Sequence, residues 1–154
     1  MGIEEMTTPE DITALEQSIS KWEANVRAED PTKLLFGADN CPLCAIYYNF
    51  DEKANTLDCS GCPVSKKTGA NWCDGSPYIE AYHAGLKWKL AVRRGEMVKP
   101  FEAAARAAMQ AEVDFLKHVL EETNETLTSG CLVGGNDGLS GSAHMPHAAC
   151  CNCR

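Results

Sequence analysis

Cys41-Pro42-Leu43-Cys44 and Cys59-Ser60-Gly61-Cys62 are two C-x-x-C pairs separated by fourteen residues. Two residues between thiols let both sulfurs of one turn reach a single ion, and Pro42 and Gly61 suit tight turns that aim backbone amides at sulfur. The spacing therefore predicts a four-cysteine metal site built from Cys41, Cys44, Cys59 and Cys62. Zinc suits four thiolates; an iron–sulfur cluster uses the same donors, and spacing alone does not separate the two. A complete four-thiolate shell leaves zinc no open position for water or substrate, so such a site is structural. Cys73 follows eleven residues after Cys62 and brings five thiols to four places. It is either an alternative ligand that displaces one of the four or a buried reduced thiol acting as a small hydrophobe.

Working outward, residues 31–77 are rich in Gly, Pro, Asn and Asp, a composition that turns often and offers little continuous core. Residues 45–50 form the best strand candidate, and 51–55 turn the chain back towards Cys59, which predicts a short hairpin between the cysteine pairs. On either side the pattern is helical. Thr8-Pro9-Glu10-Asp11 offers a capping hydroxyl, a proline for the first turn and favourable carboxylates. Ile12, Leu15, Ile19, Trp22 and Val26 then recur at steps of three and four. Ser76-Pro77 repeats the start signal before Tyr78, Tyr82, Leu86 and Leu90, and Gly95 breaks that run. Beyond Pro100, Phe101, Ala105, Met109, Val113, Leu116 and Leu120 share one face. The expected fold is mainly α, with helices near 9–29, 77–93 and 100–122 and a small irregular or β zinc-binding insertion at about 37–77. Residues 1–123 would form this helical domain, and 124–154 an irregular Cys/His-rich tail with a Gly-rich turn at 134–138.

Net charge is −8, and residues 1–30 hold eight acidic side chains against Lys21 and Arg27. Cations are needed to displace phosphate counterions, so this balance argues against a nucleic-acid surface made from the whole molecule and favours protein partners. The first residues carry no basic segment leading into an apolar run, and no window approaches the length of a membrane span. A cytoplasmic chain without membrane contact is expected, in which nine cysteines stay reduced and available to metals.

Three further groups carry chemistry. His144, His147, Cys150 and Cys153 near the C-terminus form a second zinc-type donor set, although so closely spaced a set needs help from the body of the protein to surround one ion. Lys87, Lys89, Arg93, Arg94 and Lys99 lie close to Trp88 and Tyr82, a locally basic patch in which cations could meet phosphate while an aromatic ring stacks on a base. The competing reading is a solvated helix face. A thiol-dependent enzyme would need Cys73 or a tail cysteine as nucleophile, or His83 as base. No phosphate-binding loop, no G-x-S-x-G elbow and no H-x-E ahead of Cys41 is present.

From about Ile19 to Leu120 the chain resembles a group of small cysteine-rich proteins encoded by tailed bacteriophages. The resemblance rests on Ile19-Ser20-Lys21-Trp22, Cys41-Pro42-Leu43-Cys44, Cys59-Ser60-Gly61-Cys62-Pro63-Val64, Thr68-Gly69, Cys73-Asp74-Gly75-Ser76-Pro77-Tyr78 and Glu112-Val113-Asp114-Phe115-Leu116-Lys117. It implies a phage origin, the cytoplasm of a bacterial host and a bound metal, and it brings no established activity. The function expected is that of a zinc-stabilised, non-enzymatic module that meets a host or phage protein in host takeover or regulation. A nucleic-acid-associated zinc module using residues Lys87 to Lys99 is the alternative.

Overall fold

A computed structural model describes residues 7–133. The three predicted long helices are present as α1 (Pro9–Arg27), α4 (Tyr78–Arg94) and α5 (Lys99–Val133). Between α1 and α4 lie 3-10 turns at Pro31–Lys33 and Ala38–Asn40, a short α2 (Pro42–Tyr47), strands β1 (Asn49–Asp51) and β2 (Thr56–Asp58), and a short α3 (Pro63–Thr68).

Helix α1 starts with a full capping box. The Asp11 N–H donates to Thr8 Oγ1 at 3.3 Å, and the Thr8 N–H donates to Asp11 Oδ2 at 2.7 Å. Such a cap contributes about 1 kcal/mol. The helix ends at Arg27, two residues earlier than predicted, because Ala28 and Asp30 are extended ahead of Pro31. Arg106 of α5 closes this end: its guanidinium donates to the Val26 carbonyl and, at 2.8 Å, to the Ala28 carbonyl. It also pairs with Glu102 at 2.7 Å and stacks on the Trp88 ring at 5.6 Å. One side chain thus ties α1, α4 and α5 together.

Helix α5 packs on both α1 and α4. Ala105, Met109, Val113, Leu116 and Val119 are buried along it, against Leu15, Ile19 and Trp22 of α1 and Ala81 and Trp88 of α4. Gly85 lets α4 approach the 3-10 segment. A Cβ there would stand 2.5 Å from Phe36 Cζ, so only glycine admits the ring. Asn25 fixes the same segment through paired bonds: Nδ2 donates to the Leu35 carbonyl at 3.0 Å and the Leu35 N–H donates to Oδ1 at 2.9 Å.

Two expectations are corrected. Residues 45–50 are not one strand: Pro42 at the first helical turn starts α2, in which Leu43 and Tyr47, four apart, turn inwards. Only Asn49–Asp51 is extended, paired antiparallel with Thr56–Asp58 in the register Phe50↔Leu57. The irregular tail does not begin at 124 either, since α5 continues to Val133. No proline interrupts it, and Thr123 and Thr126 satisfy their hydroxyls on the carbonyls of Val119 and Glu122 at 2.7 and 3.0 Å. Among the described residues no helix is long and apolar enough to cross a membrane.

Candidate metal centre

The five central cysteines, scattered over 33 positions of sequence from Cys41 to Cys73, line one cavity of about 140 Å³. Cys41 leads into α2 and Cys44 sits in its first turn; Cys59 follows β2, Cys62 leads into α3, and Cys73 lies in the loop before α4. Cys59 and Cys62 are buried and the other three half-buried, all as free thiols. Among the described residues no three His, Cys, Asp or Glu side chains stand close enough together to hold one ion. The thiols share a wall without closing on a common centre.

At Cys41 the surroundings nevertheless favour thiolate, whereas the other four thiols are raised. Cys41 is drawn down to about 6, first by the hydrogen bond from the Cys44 thiol, then by the amides of Cys44 and Leu43 and the charge of Lys21, against the opposing effect of burial. Those amides face the sulfur without completing a capping hydrogen bond. Cys44 is raised, because its proton is held in that bond and the site is desolvated. Burial also raises Cys62, while the amides of Ser65 and Val64 pull it back, the same i+3 and i+2 arrangement as at Cys41. Burial raises Cys59 and the Trp72 amide opposes it. Trp72 adopts a left-handed backbone (φ 63°), unusual for a side chain of its size, and in doing so turns its N–H towards that sulfur. Asn71 secures the loop: its Oδ1 accepts from the Cys59 N–H at 3.0 Å and its amide donates to the Leu57 carbonyl. Amide donors aimed at sulfur are what a thiolate ligand needs. Cys41, Cys59 and Cys62 have such donors, and together with Cys44 they are the residues that would hold a thiophilic ion. Cys73 has no such amides, and burial pushes it up to about 12, followed by the nearby Cys41, Glu112 and Cys62. That makes it a poor free nucleophile.

Three residues of this cavity carry no signal in the cysteine spacing. Glu112 of α5 is 2% exposed; burial raises its carboxyl to about 8, opposed by Lys21 and a hydrogen bond from Ser76. Among the described residues its Oε2 has no partner, nor does the Oγ of the equally buried Ser18 on α1. Lys21 lies against the Trp22 ring at 4.8 Å, its ammonium lowered by burial and partly restored by Cys41 and Cys73. Ser18 and Glu112 sit on the apolar stripes of their helices, and that position was the available sign of their burial.

The remaining sequence candidates are placed as follows. Trp88 is 1% exposed, with its ring in the helical core, so it cannot stack on a base and that part of the expectation is corrected. Lys87, Arg93, Arg94 and Lys99 are exposed; Lys89 lays its ammonium 5.4 Å from the Phe36 ring, and Arg94 reaches Glu96 at 3.8 Å. His83 is exposed beside Tyr82, at 5.7 Å between rings, and does not line the cavity. His144, His147, Cys150 and Cys153 lie outside the described residues. No known protein family, curated protein or solved structure matches the chain.

Proposed function

We propose that the chain is a zinc-stabilised, non-enzymatic protein-interaction module, with zinc on Cys41, Cys44, Cys59 and Cys62 fixing a segment that presents a binding surface. A host or phage protein is the partner that the phage resemblance anticipates. The observation that carries this reading is the exposure of large side chains on the cysteine-rich segment itself. Ile46, Tyr48, Phe50 and Trp72 are all exposed, Trp72 by 55%, and Tyr48 and Trp72 border the thiol cavity. Aromatic side chains so placed are the usual anchors of protein interfaces. Zinc ligated by four thiolates supplies no reactive position, and its role is to hold these side chains in one arrangement. Affinity capture from phage-infected bacteria tests the reading, with wild type, Phe50→Ala/Trp72→Ala and Cys44→Ser baits compared by mass spectrometry. A protein captured by wild type and lost with both variants supports it. No capture above background, or equal capture by all three, refutes it.

A further inference from the structure

The proposed four-cysteine site leaves Cys73, Asp74 and Glu112 in the same cavity without a role, and of these only Asp74 is exposed to solvent. Cys73 lines the cavity, and so does Glu112, a residue 2% exposed whose Oε2 has no partner among the described residues, on the face of α5 that meets the cysteine-rich segment. Burying a carboxylate oxygen with nothing to bond is costly, and a native structure keeps such an atom when something comes to it. Glu112 also belongs to the rigid helical core, whereas the thiols come from turns, so it is held in place before any ion arrives.

Counting donors points to the guest. Five thiols and the one buried carboxylate make six ligands; Asp74 also borders the cavity but is exposed to solvent. Two four-coordinate ions that share two bridging sulfurs need six ligands, whereas one ion needs four and leaves two idle. Charge agrees. One divalent ion on four thiolates, with Lys21 alongside, leaves one net negative charge, the solvent-exposed Asp74 at the rim set aside. A second divalent ion brings two positive charges against the two negative charges of ionised Cys73 and Glu112, so the balance is unchanged, and the protons leave to solvent. Carboxylate and thiolate together suit zinc and its chemical neighbours rather than calcium or magnesium.

We propose that the cavity takes two thiophilic divalent ions, the second held by Cys73 and Glu112 together with thiolates shared from the first. This rests on the metal reading above, and loading draws the donors inwards from the cavity wall.

The test is anaerobic loading of the full-length reduced chain with cobalt(II), counted by elemental analysis and native mass spectrometry and examined by magnetic resonance. Circular dichroism checks that each variant keeps its helix content. Wild type is expected to hold two ions with coupled spins, because bridging sulfur couples them. Glu112→Gln and Cys73→Ser should each hold one uncoupled ion, and Cys150→Ser/Cys153→Ser, which strips donors from the tail, should still hold two. The proposal is overturned if wild type holds a single ion, if Glu112→Gln and Cys73→Ser both keep two, or if the second ion disappears only in the tail variant. Each of those results leaves the first site standing. A wild-type chain that binds no cobalt refutes the first site and the second with it.

Discussion

Replacing Glu112 by Gln in the metal-free protein should abolish a pH dependence that the fold builds in. In the folded chain burial raises this carboxyl from its ordinary value near 4.5 to about 8. Glu112 thus holds its proton more tightly folded than unfolded. As pH rises from 4.5, the unfolded chain releases the proton first and is stabilised relative to the folded one, until the folded carboxyl ionises near 8. Between pH 5 and pH 7 the loss is two pH units at 1.36 kcal/mol each, or about 3 kcal/mol. Cys41 works the other way, since its lowered value makes stability rise with pH from about 6 towards its ordinary value near 9. Subtracting the Glu112→Gln profile from the wild-type profile cancels that contribution. Urea melts of both proteins in chelator and reductant, at half-unit steps from pH 5 to 8, should give a wild-type-minus-variant difference that falls steadily with pH. A difference that stays flat within 0.5 kcal/mol, on the order of the error of such measurements, would mean that Glu112 is ionised in the fold, and the account of its burial would fail.

Three further outcomes follow from the packing and the thiols. Gly85→Ala should destabilise the chain by about 1–3 kcal/mol in thermal melts, because the new methyl meets the Phe36 ring; a gain of about 1 kcal/mol, the helix-propensity benefit of alanine, would show that the ring moves freely. Arg106→Lys should cost about 1–2 kcal/mol, since an ammonium cannot bond the Val26 and Ala28 carbonyls and cover Trp88 at once; an unchanged denaturation midpoint contradicts that. Zinc uptake by the four-cysteine set at pH 7.5 should release about three protons in calorimetry across buffers of different ionisation enthalpy, as Cys44, Cys59 and Cys62 are raised and Cys41 is not. Release of fewer than two at this site would contradict the thiol environments described.

Helices α1 and α5 were legible because their apolar residues repeat at helical spacing, and α1 also starts with a cap; α4 was legible as a helix, but it buries Ala81, Gly85, Trp88 and Ala91 rather than the expected stripe, and Leu90 is exposed. Leu15, Ile19 and Trp22, and Met109, Val113 and Leu116, are buried as that spacing predicts. The short elements were not legible. Six residues hold too little periodicity to tell α2 from a strand, and the deciding fact, Leu43 and Tyr47 facing inwards together, is tertiary. The common cavity of the thiols was half legible: C-x-x-C spacing predicts that the members of each pair lie together, but nothing local says that Cys73 lines the same wall. The polar interior was missed because hydropathy places Asp11, Ser18, Asn25 and Glu112 outside, whereas each is buried on a stripe that apolar neighbours define. Trp88 failed for the opposite reason. Flanking lysines suggested a surface, while helical rotation sends the residue between exposed Lys87 and half-buried Lys89 into the core.

The clamp that α5 forms on α1 and α4 has a thermodynamic consequence for the segment strung between those helices. Residues 28–77 are a loop whose two ends are held before its own structure matters, so the entropy of closing it belongs to helix packing. Ordering inside the loop then starts from a small search volume, and the effective concentration of each cysteine pair for the other is far above that of the same peptide free in solution. Excised from its helices, the segment should bind metal more weakly although every donor from Cys41 to Cys73 is retained. Loosening the helical seam at Leu116, far along the chain from any cysteine of this segment, should weaken metal binding as well.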